Sequence, residues 1–215
     1  MSWLNIFLIL VLFTGSSLVA QDWPQFLGPN RDGQYRGVSL VKGWGTEGPP
    51  ELWRRPVGSG FAGPVVAEGR LILFHRLDDH EVVEAVNASS GESIWRYDYV
   101  TTYRDDFGFD EGPRAVPVIA DGKVFTFGAQ GHMHALDLET GALVWDVDTR
   151  VEFGVRKGFF GSAGSPLVDS GYVIANIGGA GAGVVAFDVN TGEVAWTALD
   201  DDASYSSGIR ATFGG

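Results

Sequence analysis

The chain has 215 residues, 31 of them glycine and 7 tryptophan, with no cysteine and a formal net charge of −12. The missing cysteines exclude a disulfide scaffold and a thiolate metal site, and the acidic balance argues against a nucleic-acid backbone as partner, which needs clustered Lys and Arg. Glycine-rich turns, aromatic strands and no long 3.6-residue period beyond the N-terminus suit an all-β protein.

Residues 1–20 read as an export signal. IFLILVLF at 6–13 is an apolar core of signal length, too short to span a bilayer, and small residues up to Ala20 supply a cleavage region. The expectation is an exported protein, periplasmic or extracellular, with no transmembrane span after signal removal. Residues 21–59 form an N-terminal segment that is loop-like, with a lone outer strand around Trp53. In a closed ring such a strand completes a blade begun elsewhere and removes an unpaired edge.

From residue 60 onward the chain repeats. AVNASSGESIW at 85–95, ALDLETGALVW at 135–145 and AFDVNTGEVAW at 186–196 are copies of one motif, spaced fifty and fifty-one residues apart. Each reads as strand, tight turn, strand. Ala85, Ala135 and Ala186 sit in the first strand, Asp137 and Asp188 open the turn, Gly91, Gly141 and Gly192 close it, and Trp95, Trp145 and Trp196 lie in the second strand. An Asp side chain accepts hydrogen bonds from backbone N–H groups just ahead of it, and glycine takes the positive φ that ends a short loop. Asn87 replaces the Asp in the first copy and keeps the local bond. The second strand is expected to carry Leu143, Trp145 and Val147 on one face, with the tryptophans packing between blades. Upstream of each motif lies another hairpin, at 63–74, 116–127 and 165–175. Four short antiparallel strands per period predict a β-propeller blade. Complete blades are expected at about 60–100, 114–150 and 162–200, with 205–215 opening a fourth. Three complete blades are fewer than the four to eight of typical rings, so the sequence reads as the N-terminal part of a longer protein.

The connections between blades hold the candidate functional residues. Residues 97–114 include Tyr103, Arg104, Asp105 and Asp106; residues 149–161 include Arg156, Lys157, Phe159 and Phe160; residues 199–207 include Asp200, Asp201, Asp202 and Tyr205. All three occupy the same place in their repeats, so the repeat puts them on one face of the disc. Long loops on a rigid scaffold commonly carry binding, and aromatics mixed with both charge signs suit a protein or polymer partner or a polar organic ligand. The bland alternative is loop packing with solvated charges. The paired and triple Asp runs offer oxygens to calcium but lack a D-x-D-x-D-G loop. His132 and His134 share a strand face without an evident third ligand, and read as structural. No nucleophile elbow, phosphate-binding glycine loop or His–Glu zinc helix is present, so no residue is assigned a catalytic or metal role.

The A-x-D-x-x-T-G-x-x-x-W pattern resembles the tryptophan-docking repeat of the pyrroloquinoline-quinone (PQQ)-like propellers, which include quinoprotein dehydrogenases and the propeller lipoprotein of outer-membrane protein assembly. DWPQFLGPNRDG at 22–33 is similar to the start of exported PQQ-like repeat proteins of planctomycete-type bacteria. The resemblance implies a propeller and two competing functions. One is a non-catalytic binding or scaffold module for a protein or polymer. The other is a quinoprotein oxidoreductase, acting on alcohols or sugars, with PQQ and calcium over the central channel. Many such enzymes carry an adjacent-cysteine disulfide against the cofactor, and this chain has no cysteine. The binding reading is preferred.

Overall fold

The computed structural model describes residues 21–39 and 43–214; the expected export signal lies outside them. Twelve strands form three antiparallel four-stranded sheets, each with its strands in chain order. Blade 1 contains β1 (Val65–Ala67), β2 (Arg70–Leu77), β3 (His80–Asn87) and β4 (Ser93–Val100). Blade 2 contains β5 (Val118–Ala120), β6 (Lys123–Phe127), β7 (His132–Asp137) and β8 (Leu143–Asp148). Blade 3 contains β9 (Leu167–Asp169), β10 (Tyr172–Gly179), β11 (Ala182–Asp188) and β12 (Val194–Ala198). The short strands β1, β5 and β9 approach one another and form the inner side of the arc.

Local chemistry explains both hairpins of a blade. Between β5 and β6 the turn residues Asp121 and Gly122 have φ of 50° and 67°, the double positive φ of the tight turn that matches strand twist. In the repeat motif, Asp137 Oδ1 accepts the Thr140 N–H at 2.9 Å and the Thr140 hydroxyl at 2.7 Å. Asp188 accepts from Asn190 and Thr191, and Asn87 from Ser89 and Ser90.

One expectation about this motif fails. A register shift between Ala135 and Leu136 pairs Ala135 with Trp145 and Leu136 with Leu143, leaving Val144 as an extra residue. A bulge of this kind turns the residues on its two sides to opposite faces. Leu143 is therefore exposed while Trp145 is buried. The same shift follows Ala85 and Ala186 in the other blades.

The blades stack through two apolar layers. Val65, Ile72, Phe74, Val83 and Trp95 of blade 1 meet Ile119, Val124 and Leu136 of blade 2. Phe125, Phe127, Met133 and Trp145 of blade 2 meet Val173, Val185 and Phe187 of blade 3. Each docked tryptophan also bonds across its layer: Trp95 Nε1 donates to Leu138 O at 2.9 Å, and Trp145 Nε1 to Val189 O at 3.2 Å.

The N-terminal segment departs from its expected form. Residues 51–57 form no strand, yet Trp53 docks as the other tryptophans do: its Nε1 donates to Ala88 O at 3.0 Å and its ring covers Gly91. The indole holds this stretch on blade 1 together with Arg55, which donates to Gly91 O at 3.0 Å and pairs with Glu84 at 2.6 Å. Residues 22–33 are a loop of turns, as expected, and cross the inner strands. Trp23 exchanges backbone hydrogen bonds with Val66 (2.8 and 3.0 Å), Pro24 O accepts the Ile119 N–H at 2.8 Å, and Arg31 Nη1 donates to Pro166 O at 2.8 Å. One strap thus touches all three blades. Residues 205–214 pass beside blade 3 without forming a strand, with Ser207 Oγ accepting the Ser165 N–H and Arg210 pairing with Asp169.

Candidate partner-binding face

The connection 101–117 is folded around Asp105. Its side chain is fully buried; Oδ2 accepts the N–H groups of Phe107 (3.2 Å) and Phe109 (2.7 Å), and Oδ1 pairs with Arg114 at 3.3 Å. The Arg114 guanidinium lies 4.7 Å from the centre of the Tyr103 ring. Arg76, reaching in from β2, donates to Tyr103 O and Glu111 O at 2.8 and 3.0 Å. Burial pushes the Tyr103 phenol up to about 12, against the pull of Arg114.

The second connection begins with a short helix, α1 (Thr149–Phe153), where a loop was expected. Asp148 caps it by accepting the N–H groups of Arg150 and Val151, and Gly154 ends it at a φ of 63°. Lys157 then reaches back to the first connection, 2.6 Å from Asp106 and 5.3 Å from the Tyr103 ring centre. Aromatic rings complete the junction. Phe107 lies 5.9 Å from Phe159 and 5.6 Å from Phe160, and Phe160 lies 5.5 Å from Tyr205 of the third connection. Tyr205 Oη accepts the Phe160 N–H. Phe109 and Phe159 are 72% and 68% exposed, so the cluster is an open surface rather than a core.

The expected face therefore gathers Tyr103, Asp106, Lys157, Phe159 and Phe160. Asp105 belongs to its interior, and Arg104 turns to Glu111 of its own connection at 3.2 Å. Arg156 is exposed and lines a neighbouring groove with Phe159, Gly178, Asp202 and Tyr205. Phe107 belongs to the aromatic and charged run of 97–114 expected to carry binding, whereas Arg114, at the end of that run, had no role assigned from the sequence.

His132 and His134 do share a face, and it is packed. The His134 ring lies 4.1 Å from Tyr99 and 5.4 Å from Tyr97, while His132 pairs with Asp148 at 3.0 Å. Burial, with His132 adding to it, lowers the His134 pKa to about 3. Beside them Glu81, fully buried, accepts the Tyr99 hydroxyl at 2.5 Å and the Ala129 N–H at 2.9 Å. Burial raises the Glu81 pKa above its ordinary value. This polar layer braces blade 1 against blade 2.

Calcium takes six to eight oxygen ligands. Three carboxylates of this face have partners: Asp105 bonds backbone and Arg114, Asp106 bonds Lys157, and Asp200 accepts the Gly181 N–H. Among the described residues no three His, Cys, Asp or Glu side chains are grouped to hold a metal ion. The described carboxylates of this face thus form no calcium cage. No helix of the described residues is long and apolar enough to cross a membrane.

A protein-family model described as outer membrane protein assembly factor BamB matches residues 78–213. The chain belongs to this family of PQQ-like repeat propellers. It is 31% identical over 140 residues to the quinohemoprotein alcohol dehydrogenase ADH-IIG of Pseudomonas putida, covering 63% of this chain and 19% of that protein. The dehydrogenase subunit of a quinone alcohol dehydrogenase of Komagataeibacter europaeus is 32% identical over 141 residues, covering 62% of this chain and 18% of its own length. Among solved structures, the quinohemoprotein alcohol dehydrogenase of Comamonas testosteroni aligns with a TM-score of 0.60 at 28% identity, over 82% of this chain and 27% of that one. BamB of Moraxella catarrhalis aligns at 0.50 and 24% identity, over 73% and 41%, a likeness of fold alone. The chain thus spans about a fifth of the length of the curated relatives it matches.

Proposed function

We propose that this chain is part of an exported binding or scaffold propeller whose connection face takes a protein or polymer partner. The observation that carries the reading is the aromatic junction of Phe107, Phe159, Phe160 and Tyr205. It joins three connections, stays exposed, and rests on a loop pinned from inside by Asp105 and Arg114. Exposed apolar patches rimmed by polar groups mark interaction surfaces, and rigid aromatics contribute contact area at low entropic cost. A photo-reactive residue placed at Phe159 in the exporting cell tests the reading, with the same group at exposed Val144, on the outer strand, as control. Cross-linking to one defined polypeptide or polymer from position 159 alone is expected. Equal labelling from both positions would remove the assignment.

The second reading is a quinoprotein oxidoreductase, favoured by relatives at 31–32% identity that are alcohol dehydrogenases. PQQ, when bound in such an enzyme, supplies the electron-accepting quinone; the carboxylates described above do not offer calcium a cage beside it. Calorimetry of the chain with PQQ and calcium, run beside dye-coupled alcohol oxidation, separates the readings. Micromolar binding together with turnover would promote the oxidoreductase.

A further inference from the structure

The connection face encloses a small cavity lined by donors. Its walls include Tyr103, Gln130, Arg150, Arg156, Lys157 and Ser162. The chain carries 15 Lys and Arg against 27 Asp and Glu, so its cations are normally matched. Among the described residues every other Arg and Lys side chain meets an acceptor, most of them carboxylates. Arg150 and Arg156 meet none, and both line this cavity. Tyr103 is 4% exposed, and its hydroxyl has no hydrogen-bond partner. Lys157 bonds Asp106 at 2.6 Å and retains further ammonium protons. Guanidinium and ammonium groups donate only, and a phenol left without an acceptor is a donor in want of one. The volume, about 20 Å³, admits one oxygen-sized group.

We propose that this cavity is a carboxylate subsite, taking one oxygen of an acidic side chain presented by a polypeptide partner. The assignment rests on the partner-binding reading above and names its chemistry. Carboxylate is favoured because the planar guanidinium fork matches it and because a single oxygen fills the space. A polypeptide source is favoured because Arg156 and Lys157 also line the adjoining groove that holds exposed Phe159 and Tyr205, which suit the apolar residues flanking an acidic one.

Two probes test it on the full chain. Acetate, the smallest convenient carboxylate, is titrated against a chloride control while the Tyr103 ring and Arg156 side-chain resonances are followed. Saturable shifts at both are expected, abolished by Arg156→Gln and weakened by Tyr103→Phe. The second probe is an acetylated, amidated hexapeptide alternating phenylalanine and aspartate, compared with its asparagine counterpart. The aspartate peptide is expected to bind about tenfold tighter, the usual effect of a charge-assisted hydrogen bond, and Arg156→Gln removes the difference. Arg156 is exposed, so its variant keeps the fold. Acetate without effect at Tyr103 and Arg156 overturns the subsite. Equal binding of both peptides also overturns it, while leaving the aromatic face as a docking surface. Saturation by acetate with neither peptide bound keeps the anion site and overturns its polypeptide occupant.

Discussion

The indole of Trp145 lies against Gly192 of the next blade so closely that a Cβ added to that glycine would stand 2.7 Å from the ring. Gly192 also has a φ of 73°. The same pairing joins Trp95 to Gly141 and Trp53 to Gly91. The turn glycine of one repeat is thus both a hinge for its own hairpin and the seat of its neighbour's tryptophan.

Gly192→Ala should suffer twice, from left-handed backbone strain of about 1–2 kcal/mol and from a clash of about 1–3 kcal/mol. Gly122→Ala, at a similar φ of 67° with open space around it, should show only the first loss. Urea titrations of the two variants measure the difference; equal losses would deny the seat its role.

Trp145→Ala should lower stability by roughly 3–5 kcal/mol, as for large aromatics truncated in a packed layer. Trp196, 40% exposed against 6% for Trp145, should lose far less on the same change. Trp23, whose ring packs within its own turn on Gly28, should also lose less than Trp145. Chemical denaturation followed by circular dichroism ranks the three.

Adjacent carboxylates should behave oppositely. Asp105→Asn removes a buried charge from Arg114, and breaking such a pair costs about 3–5 kcal/mol. Asp106 is 60% exposed in its pair with Lys157, and its replacement should change stability by less than about 1 kcal/mol. Proteolysis within 101–117 should accelerate only in the Asp105 variant.

The buried layer between blades 1 and 2 should respond to pH through two opposed groups. His134 has a folded pKa of about 3 against an ordinary 6.5, so between those values the unfolded chain binds a proton that the folded one refuses. Its contribution is lost as pH falls from 6.5 towards 3, by at most about 1.4 kcal/mol per pH unit. Glu81 is raised above its ordinary 4.5, so above that pH the folded chain holds a proton the unfolded one has released, and stability falls as pH rises. His134→Phe should flatten the acid limb and Glu81→Gln the opposing one. Denaturant midpoints across this range would show the two slopes.

Much of this was written in short spacings. Asp137, Thr140 and Gly141 specify their turn within five residues, and the recurrence of tryptophan at fifty residues specifies stacked blades. What escaped depends on longer reach. The bulge after Ala135 moves Leu143 to the solvent side without leaving a mark in the alternation. Asp105 and Asp106 are alike as letters; only the curl of the backbone towards Phe107 and Phe109 decides which is inside. The shared face of the connections was legible because repetition dictates it, while the cavity that sets Tyr103 of the first connection beside Arg150, Arg156 and Lys157 of the second joins residues about fifty apart and gave no local signal.

The strap at 22–33 sets the order in which this molecule can finish folding. Arg31 bonds a carbonyl 135 residues ahead of it, and Pro24 O meets the Ile119 amide. Made first, this segment must wait for the start of the third blade before its last partner exists, whereas each hairpin closes within a few residues of its own synthesis. Contacts of such long sequence separation slow folding. The blades are therefore expected to form as separate hairpin units in rapid phases, and the strap to lock in a slow final one, leaving the inner strand edges open to mispairing until it does.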